Sequence, residues 1–504
     1  MAVTANDSVK DKYCENEKII LIKRQYRSNN FEAVEPNLEN LGRRDFLFKF
    51  GRGAGSVALS QMLFQDGLLA SAESSKDPLI PKIPHFAPKA KSCIFLFMGG
   101  APSQMDTFDP KPALAKYHGT PVTRIYGSLE KRIYVRSPFK FSKHGQCGME
   151  ISEIFPHLST CADDMAVVRS MHTDSDSHPT GIVLMNTGVQ IPGASPSMGS
   201  WLVYGLGTEN QNMPGFIVFP DDKRGISGGS SNYSNAYLPT AYQGTVINPQ
   251  GVPIVDLQPP HDVTRKQQHS TINLINEYNE LFLDSDPSNG ALLGRMKSYE
   301  LAFRMQMAVP EALDIEKESP KIKGLYGLNN KITEPMARKC LMARRLVERG
   351  VRFVQIYCEG WDSHSDIDGG HRSCAERSDQ PIAGLLKDLK QRGLLSETLL
   401  VWGGEFGRTA DNTMNFFRTH PGRDHNKEAM VMWFAGGGIK GGTVVGNTDE
   451  LGIKAVDNVY HLHDLHATIL HLMGLDDMHL TYYHAGRFKR LTDLGGRVIK
   501  EVLA

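Results

Sequence analysis

No stretch of eighteen consecutive apolar residues occurs in the 504-residue chain, which excludes an ordinary membrane-spanning helix. Net charge is lacking as well. The 56 Lys and Arg balance the 56 Asp and Glu, which removes the electrostatic case for nucleic acid or an anionic membrane as partner. No Cys-x-x-Cys pair is present, and the seven cysteines (Cys14, Cys93, Cys147, Cys161, Cys340, Cys358, Cys374) are odd in number and widely spaced. That pattern suits neither a disulfide framework nor a zinc ribbon, and it implies isolated, mostly buried thiols. What the chain does have is length, a 40% hydrophobic content that allows a large core, and 18 histidines that cluster late.

The first seventy residues differ from the rest. Residues 1–40 are polar and aperiodic. Leu41-Gly42-Arg43-Arg44-Asp45-Phe46-Leu47 then leads into a moderately apolar stretch from Gly53 to Leu59, and the small-residue triplet Ala70-Ser71-Ala72 follows. The order resembles a twin-arginine export leader, although Lys49 and Arg52 interrupt the apolar part; the alternative is a disordered arm followed by one amphipathic helix. The expected organisation is an arm and leader over 1–72, a linker over 73–90, a main domain over 91–475 and a tail over 476–504 packed on it. Export would place the protein in the periplasm or outside the cell; without a working leader it would be cytoplasmic.

Within the main domain, short apolar runs bounded by glycine read as buried strands: Ser92–Met98, Met165–Arg169, Gly215–Phe219, Val351–Tyr357, Leu399–Trp402 and Ala429–Ala435. Helices are expected over Ile151–Ala162, from His178 onward, around 196–207, near Asp379–Gln391 and over Val459–Leu475; a charged helical insertion occupies about 262–349. Loops leaving buried strands carry most of the candidate chemistry. Asp106 follows the first strand, with Asp109 before a proline as a turn former. Asp362 and His364 follow a later strand, and as alternate residues of an extended segment they project to one side, a spacing that suits joint ligation of a metal. Glu405 follows the strand after that, and the loop beyond it ends in Gly422-Arg423-Asp424-His425, whose Asp-His pair can meet Glu405 at a cation. His178 and Thr180 flank Pro179 at a helix start, where free N–H groups favour an anion; a merely capping His178 is the alternative. The histidines of the last helix, His463, His466 and His471, share it with the packing stripe Leu465, Ile469, Leu472 and Met473, so packing is the preferred reading there.

Six motifs carry a resemblance: FMGGAPSQMDTFDPKP at 97–112, HPTGIVLMNTG at 178–188, GWDSH at 360–364, GGEFGRT at 403–409, GRDHN at 422–426 and DLHATILHLMGL at 464–475. In order and spacing they resemble the sulfatase-like branch of the alkaline phosphatase superfamily, and most closely the uncharacterised bacterial family called domain of unknown function 1501, in which a twin-arginine leader is common. The resemblance implies an α/β alkaline phosphatase-like sandwich, with a central, mostly parallel sheet flanked by helices and a helical insertion. It implies one or two divalent metal ions, with zinc, manganese or calcium suited to carboxylates plus imidazole. By the same likeness Asp106 would be the first ligand, Asp362 and His364 the middle pair, and Glu405 and His425 the late ligands, with Arg408 or Arg423 gripping the non-bridging oxygens of an anionic ester.

The departure from the family pattern concerns the nucleophile. Sulfatases carry Cys or Ser in a Cys-x-Pro-Ser-Arg pattern, and the corresponding place here holds His178 in His-Pro-Thr-Gly. The resemblance therefore leaves His178 as a metal ligand with water attacking directly, or Thr180 as an alkoxide nucleophile. The expected function is an exported metal-dependent hydrolase of phosphate or sulfate esters, acting on a small anionic ester or a sulfated or phosphorylated glycan. The rival is a non-catalytic exported protein that keeps the fold and a structural cation while binding a glycan or cell-surface partner; a phosphoryl mutase is a third reading, and it would need Thr180.

Overall fold

The computed structural model describes residues 77–122, 132–254, 257–286, 289–413 and 420–504, and the expected leader with its Arg43-Arg44 pair lies outside them. The nine strands of the central sheet are β1 (Ser92–Phe97), β2 (Met165–His172), β3 (Phe216–Phe219), β4 (Thr245–Val246), β5 (Phe353–Tyr357), β6 (Thr398–Gly403), β7 (Met430–Gly436), β8 (Thr443–Val445) and β9 (Tyr460–His461). They run in the order β8-β2-β7-β6-β1-β5-β3-β4, with β9 beside β2. Only β7 is antiparallel to its neighbours, β2 and β6; every other pairing is parallel. The fold is therefore α/β, with a central, mostly parallel sheet flanked by helices.

The sheet forms where the apolar runs predict it because β1, β3, β5 and β6 are buried at every position, so their sequences need no alternation. Where β6 meets β7, the register partners Trp402 and Trp433 stack with ring centroids 6.1 Å apart, a contact worth about 0.5–1.5 kcal/mol beyond area burial. The main helices are α1 (His178–Thr187), α2 (Met198–Leu206), α3 (Arg265–Ser285), α4 (Gly290–Leu313), α5 (Pro320–Tyr326), α6 (Glu334–Glu348), α7 (Ile367–Gln391) and α8 (Leu462–Leu472). Region 262–349 is helical as expected, but its helices differ in role. Helix α3 buries no residue, whereas α6 buries Ala337, Cys340, Leu341, Ala343 and Leu346 and packs on β1 and β5.

One expected helix is absent. Ile151–Ala162 instead begins as the strand Met149–Ser152, paired antiparallel with Phe141–His144, and ends in a 3-10 helix over Leu158–Asp164. Pro156 supplies no N–H to continue a helix, and the buried carboxylate of Asp379 accepts from the N–H groups of His157 and Leu158 at 2.7 Å each. Helix α7 also starts twelve residues before the expected Asp379, with the Asp366 side chain capping Gly369 N–H and Pro381 inside the helix. The cysteines among the described residues are free, and all but Cys147 are buried. In α8, His463 and His466 are buried and bonded to the carbonyls of Gly188 (2.9 Å) and Met185 (2.7 Å), in keeping with packing rather than ligation. No described helix is long and apolar enough to cross a membrane.

Candidate metal centre

The loops leaving the carboxyl ends of β1, β2, β5 and β6 converge, which is where open α/β sheets place ligands. The chain after β1 turns through Gly100, whose φ of +97° suits glycine; a Cβ there would stand 2.5 Å from the backbone N of Asp362. Gly422 performs the same service for the late loop, since a Cβ would stand 2.2 Å from the carbonyl carbon of His364. These close approaches lay 422–426 against 362–365. The loop is further fastened by the Arg423 N–H donating to Ser363 O (2.9 Å) and by the short antiparallel pairing of Gly407-Arg408 with His425-Asn426.

Three imidazoles meet at one carboxylate. His178 Nε2 stands 3.3 Å from Asp362 Oδ2, His364 Nε2 3.2 Å from Asp362 Oδ1 and His425 Nε2 3.5 Å from the same Oδ1; His364 and His425 bring their Nε2 atoms within 2.9 Å of each other. The opposite ring nitrogens face acceptors. His178 Nδ1 is bonded to Glu405 Oε1 at 2.5 Å and His425 Nδ1 to the Asp176 carbonyl at 2.6 Å, while His364 Nδ1 lies 3.5 Å from Asp424 Oδ1. A metal-ligating histidine almost always gives its other ring N–H to a carboxylate or carbonyl, and here that arrangement occurs around a single point. Two groups, His178/Asp362/His425 and His364/Asp424/His425, have ligand atoms close enough to hold a cation, and they share His425.

A divalent cation fits the residues present on a further observation. Glu405 Oε2 is buried without a hydrogen-bond partner, an expensive condition for a polar atom, and the likewise buried His178 Nε2 has only Asp362 Oδ2 beside it, at 3.3 Å. The charges agree. Burial alone would lower the His178 pKa, but hydrogen bonds and charge from Asp362 and Glu405 outweigh it and raise the value to about 9. Burial opposes ionisation of Asp362, yet His178, His364, His425 and Arg408 together hold its carboxyl far below the usual range. The centre thus concentrates negative charge that a proton on His178 offsets when no cation does. Asp362, His364 and Asp424 retain a third or more of their side-chain exposure, so one side of the cluster is open to solvent.

Asp106 does not join the cluster. It is fully buried and forms a two-point ion pair with Arg423, at 2.5 Å to Nε and 3.2 Å to Nη2, and its Oδ2 also accepts from Ser103 Oγ. Arg423 spends its remaining donors inward, with Nη1 on Thr409 O, so the expectation that it grips an anion needs correction. Arg408 is likewise fully buried, bonded to Asp362 Oδ1 at 2.7 Å and to the carbonyls of Gly100, Ala101 and Arg423; it orients the central carboxylate instead of presenting a fork to a ligand. The Thr180 hydroxyl is held by Ser175 Oγ (2.5 Å) and Ser177 O (3.2 Å).

Two neighbouring residues were not anticipated. Glu359, buried under Gly99, has its Oε1 without a partner; desolvation, opposed by a Ser227 hydrogen bond and aided by Glu405 and Asp221, pushes its pKa up to about 7. It follows β5 directly, so the rule that singled out Asp362 applies to it equally. His371 on α7, fully buried and pushed down to about 3 by burial, accepts the Ser103 N–H at Nε2 (2.9 Å) and faces Ser363 Oγ with Nδ1, which ties together the loops after β1 and β5. No local pattern marks a residue that lies inside a helix.

A family model described as a protein of unknown function, domain of unknown function 1501, matches residues 90–503. The chain belongs to this family. The match contains every residue of the centre and runs through the last segment as far as residue 503, beside Ala504, whose N–H bonds to Gly438 O. No curated protein matches the sequence. Among solved structures, the lipoteichoic acid synthase LtaP from Listeria monocytogenes is similar at 10% identity and a TM-score of 0.35, over 79% of this chain and 77% of that one. The PsFucS1 sulfatase from a Pseudoalteromonas species is similar at 13% identity and 0.34, over 77% and 68%. The alkaline phosphatase of the Antarctic bacterium TAB5 is similar at 10% identity and 0.34, over 78% and 99%.

Proposed function

We propose that this member of the 1501 family is a metal-dependent hydrolase of phosphate or sulfate esters. The observation that carries the reading is the convergence of three Nε2 atoms on Asp362 while the Nδ1 atoms face acceptors. His178, Asp362, His364 and His425 would hold the cation, with Asp424 within reach as a further ligand. Imidazole plus carboxylate suits zinc or manganese better than calcium, which prefers oxygen alone. Such a cation supplies Lewis-acid polarisation of a phosphoryl or sulfuryl oxygen.

The chain's own residues do the positioning. Glu405 fixes the His178 ring by accepting its Nδ1–H, and Arg408 fixes Asp362 from the buried side. The open side, along Asp362, His364 and Asp424, is where a small anionic ester or the charged group of a glycan has access. The substrate class rests on the six-motif resemblance. With the Thr180 hydroxyl held at the start of α1, direct attack by water is the favoured route, and export through a twin-arginine leader rests on Arg43-Arg44 and the Ala70-Ser71-Ala72 triplet.

Elemental analysis of the purified full chain tests the centre. At least one divalent cation per chain is expected, and Asp362→Ala or His425→Ala is expected to lose it without unfolding; folded protein that binds no cation would sink the proposal. A panel of aryl phosphates, phosphodiesters and aryl sulfates then tests the reaction. Bound metal with no turnover on any of them would favour the binding-protein reading.

A further inference from the structure

A row of side chains leads away from the open side of the metal centre. Arg132 Nη1 bonds to Asp424 Oδ2 at 3.1 Å, and its Nε donates to Asp411 Oδ1 at 2.6 Å. Arg132 opens the short strand Arg132–Tyr134, which pairs antiparallel with Asp411–Thr413, and Val135 continues the pairing by donating its N–H to Ala410 O (2.9 Å). Side chains alternate along an extended chain, so Arg132, Tyr134 and Arg136 project to one side while Ile133 and Val135 are buried on the other. At about 3.3 Å per residue, Arg136 stands about 13 Å from Arg132 along this segment. Arg136 also stays within the field of the centre's own loop. Its N–H donates to His118 Nδ1 (3.3 Å), and the pKa of that ring is lowered by burial, by Arg136 and also by Arg423, the residue before Asp424.

Arg136 lines a cleft of about 730 Å³, a volume in the range of ligand pockets. Pro110, Lys111 and Pro112, from the segment that follows Asp106, line it together with Arg136, Pro138 and Lys140. Its charge is one-sided. Lys111 is paired with the buried Asp109 at 2.9 Å, and Glu150, the single carboxylate of the lining, has Arg169 at 3.9 Å. Arg136 and Lys140 are exposed, and neither makes an ion pair or a side-chain hydrogen bond among the described residues. Counting Asp109 and Arg169, four bases face two acids, a surplus that attracts an anion. The prolines supply apolar surface beside the free cations, which suits a ligand that is charged and also carries ring C–H groups, as a sugar does. Nucleic-acid binding rests on a run of cations along the backbone, and a cleft with two free ones is not such a run. A concave cleft also lacks the amphipathic helix that lies on a bilayer. The bases are strung out from the cleft to Asp424, so the anion that fits them is extended.

We propose that this cleft is a subsite for an anionic glycan. A sulfated or phosphorylated sugar chain lies along the row Arg132, Tyr134 and Arg136, with one charged group held by Arg136 and Lys140 while the reacting ester reaches the open side at Asp362 and His364. The subsite role rests on the metal-dependent reading above, whereas the affinity of the cleft for the glycan does not.

Titration calorimetry on the EDTA-treated full chain tests the cleft whether or not the centre holds a cation. The probes are hexasaccharides from chondroitin sulfate and from phosphomannan, with the disaccharide of each and neutral cellohexaose for comparison. Saturable binding of a charged hexasaccharide is expected, weakening as salt is raised. Arg136→Gln combined with Lys140→Gln should weaken it about tenfold. Both side chains are exposed and unpaired, so the melting temperature of that variant should not move. No binding of either charged hexasaccharide, equal binding of cellohexaose, or binding indifferent to the paired glutamines would each overturn the inference. So would a disaccharide that binds as tightly as its hexasaccharide, which would reduce the cleft to a small-anion site, or tighter binding of a DNA duplex, which would assign it to nucleic acid. Metal and ester turnover with no glycan bound would sink this inference alone. Glycan bound by a chain that never takes up a cation would sink the metal-dependent reading and the subsite role with it, while the glycan site would stand.

Discussion

A neutral imidazole has one N–H, so once Nδ1 donates to a carboxylate the lone pair of Nε2 is free for a cation. In His178 that carboxylate is Glu405, itself fully buried and steadied by the Gly100 N–H at 3.0 Å. Without a cation the same two carboxylates raise the His178 pKa to about 9, so a proton occupies Nε2 across the neutral range. Cation and proton compete for one atom. Because the proton is bound below about pH 9 and released above it, apparent metal affinity should rise with pH from about 6 to 9, by up to about tenfold per unit, and level off beyond. Titration calorimetry with zinc or manganese at several pH values measures the slope. Glu405→Gln should lower the affinity about 10–100-fold and flatten the slope, since the amide neither raises the His178 pKa nor fixes the ring as firmly. A pH-independent affinity in the unsubstituted protein would rule out His178 as a ligand.

At the scale of loops and strands, the ion pair of Asp106 with Arg423 clamps the turn after β1 to the loop that delivers His425. Both side chains are fully buried, and Arg423 outweighs the desolvation of Asp106 to hold its carboxyl below the usual range. Asp106→Asn leaves a buried guanidinium without its counter-charge and should cost about 3–5 kcal/mol in a urea melt; Asp106→Leu with Arg423→Met should recover much of that loss. The double variant is the informative one, because a clamp that merely positions the loop predicts retained metal, whereas a ligand role for Asp106 predicts its loss. This is also where the sequence was least legible. A carboxylate after a buried strand reads the same whether it faces three imidazoles, as Asp362 does, or an arginine 317 residues away, as Asp106 does. The strands were readable because β1, β3, β5 and β6 are buried on both faces and so leave unbroken apolar runs. The helix expected over Ile151–Ala162 does not form because the outcome there turns on Pro156 and on Asp379, whose carboxylate accepts from the N–H of His157, 222 positions away.

Over the whole molecule, the candidate ligands come from widely separated stretches: His178 at the start of α1, Asp362 and His364 after β5, Asp424 and His425 in the loop before β7. No one of these loops carries a complete site, and an unfolded chain does not bring them together. Binding free energy at the centre is therefore folding free energy. A cation at about a thousand times its dissociation constant should stabilise the native state by about 4 kcal/mol. For a domain of this size, spread over an unfolding entropy of about 2.1 cal/mol/K per residue, that corresponds to a melting temperature about 4–5 °C higher than in chelator. Differential scanning calorimetry with excess zinc and with EDTA measures the difference, and His425→Ala supplies the control, because His425 is common to both candidate groups and its loss should abolish the shift while the sheet stays folded. A shift of equal size in His425→Ala would mean that the stabilising cation sits elsewhere, and the three imidazoles would then be a proton-bridged cluster around Asp362.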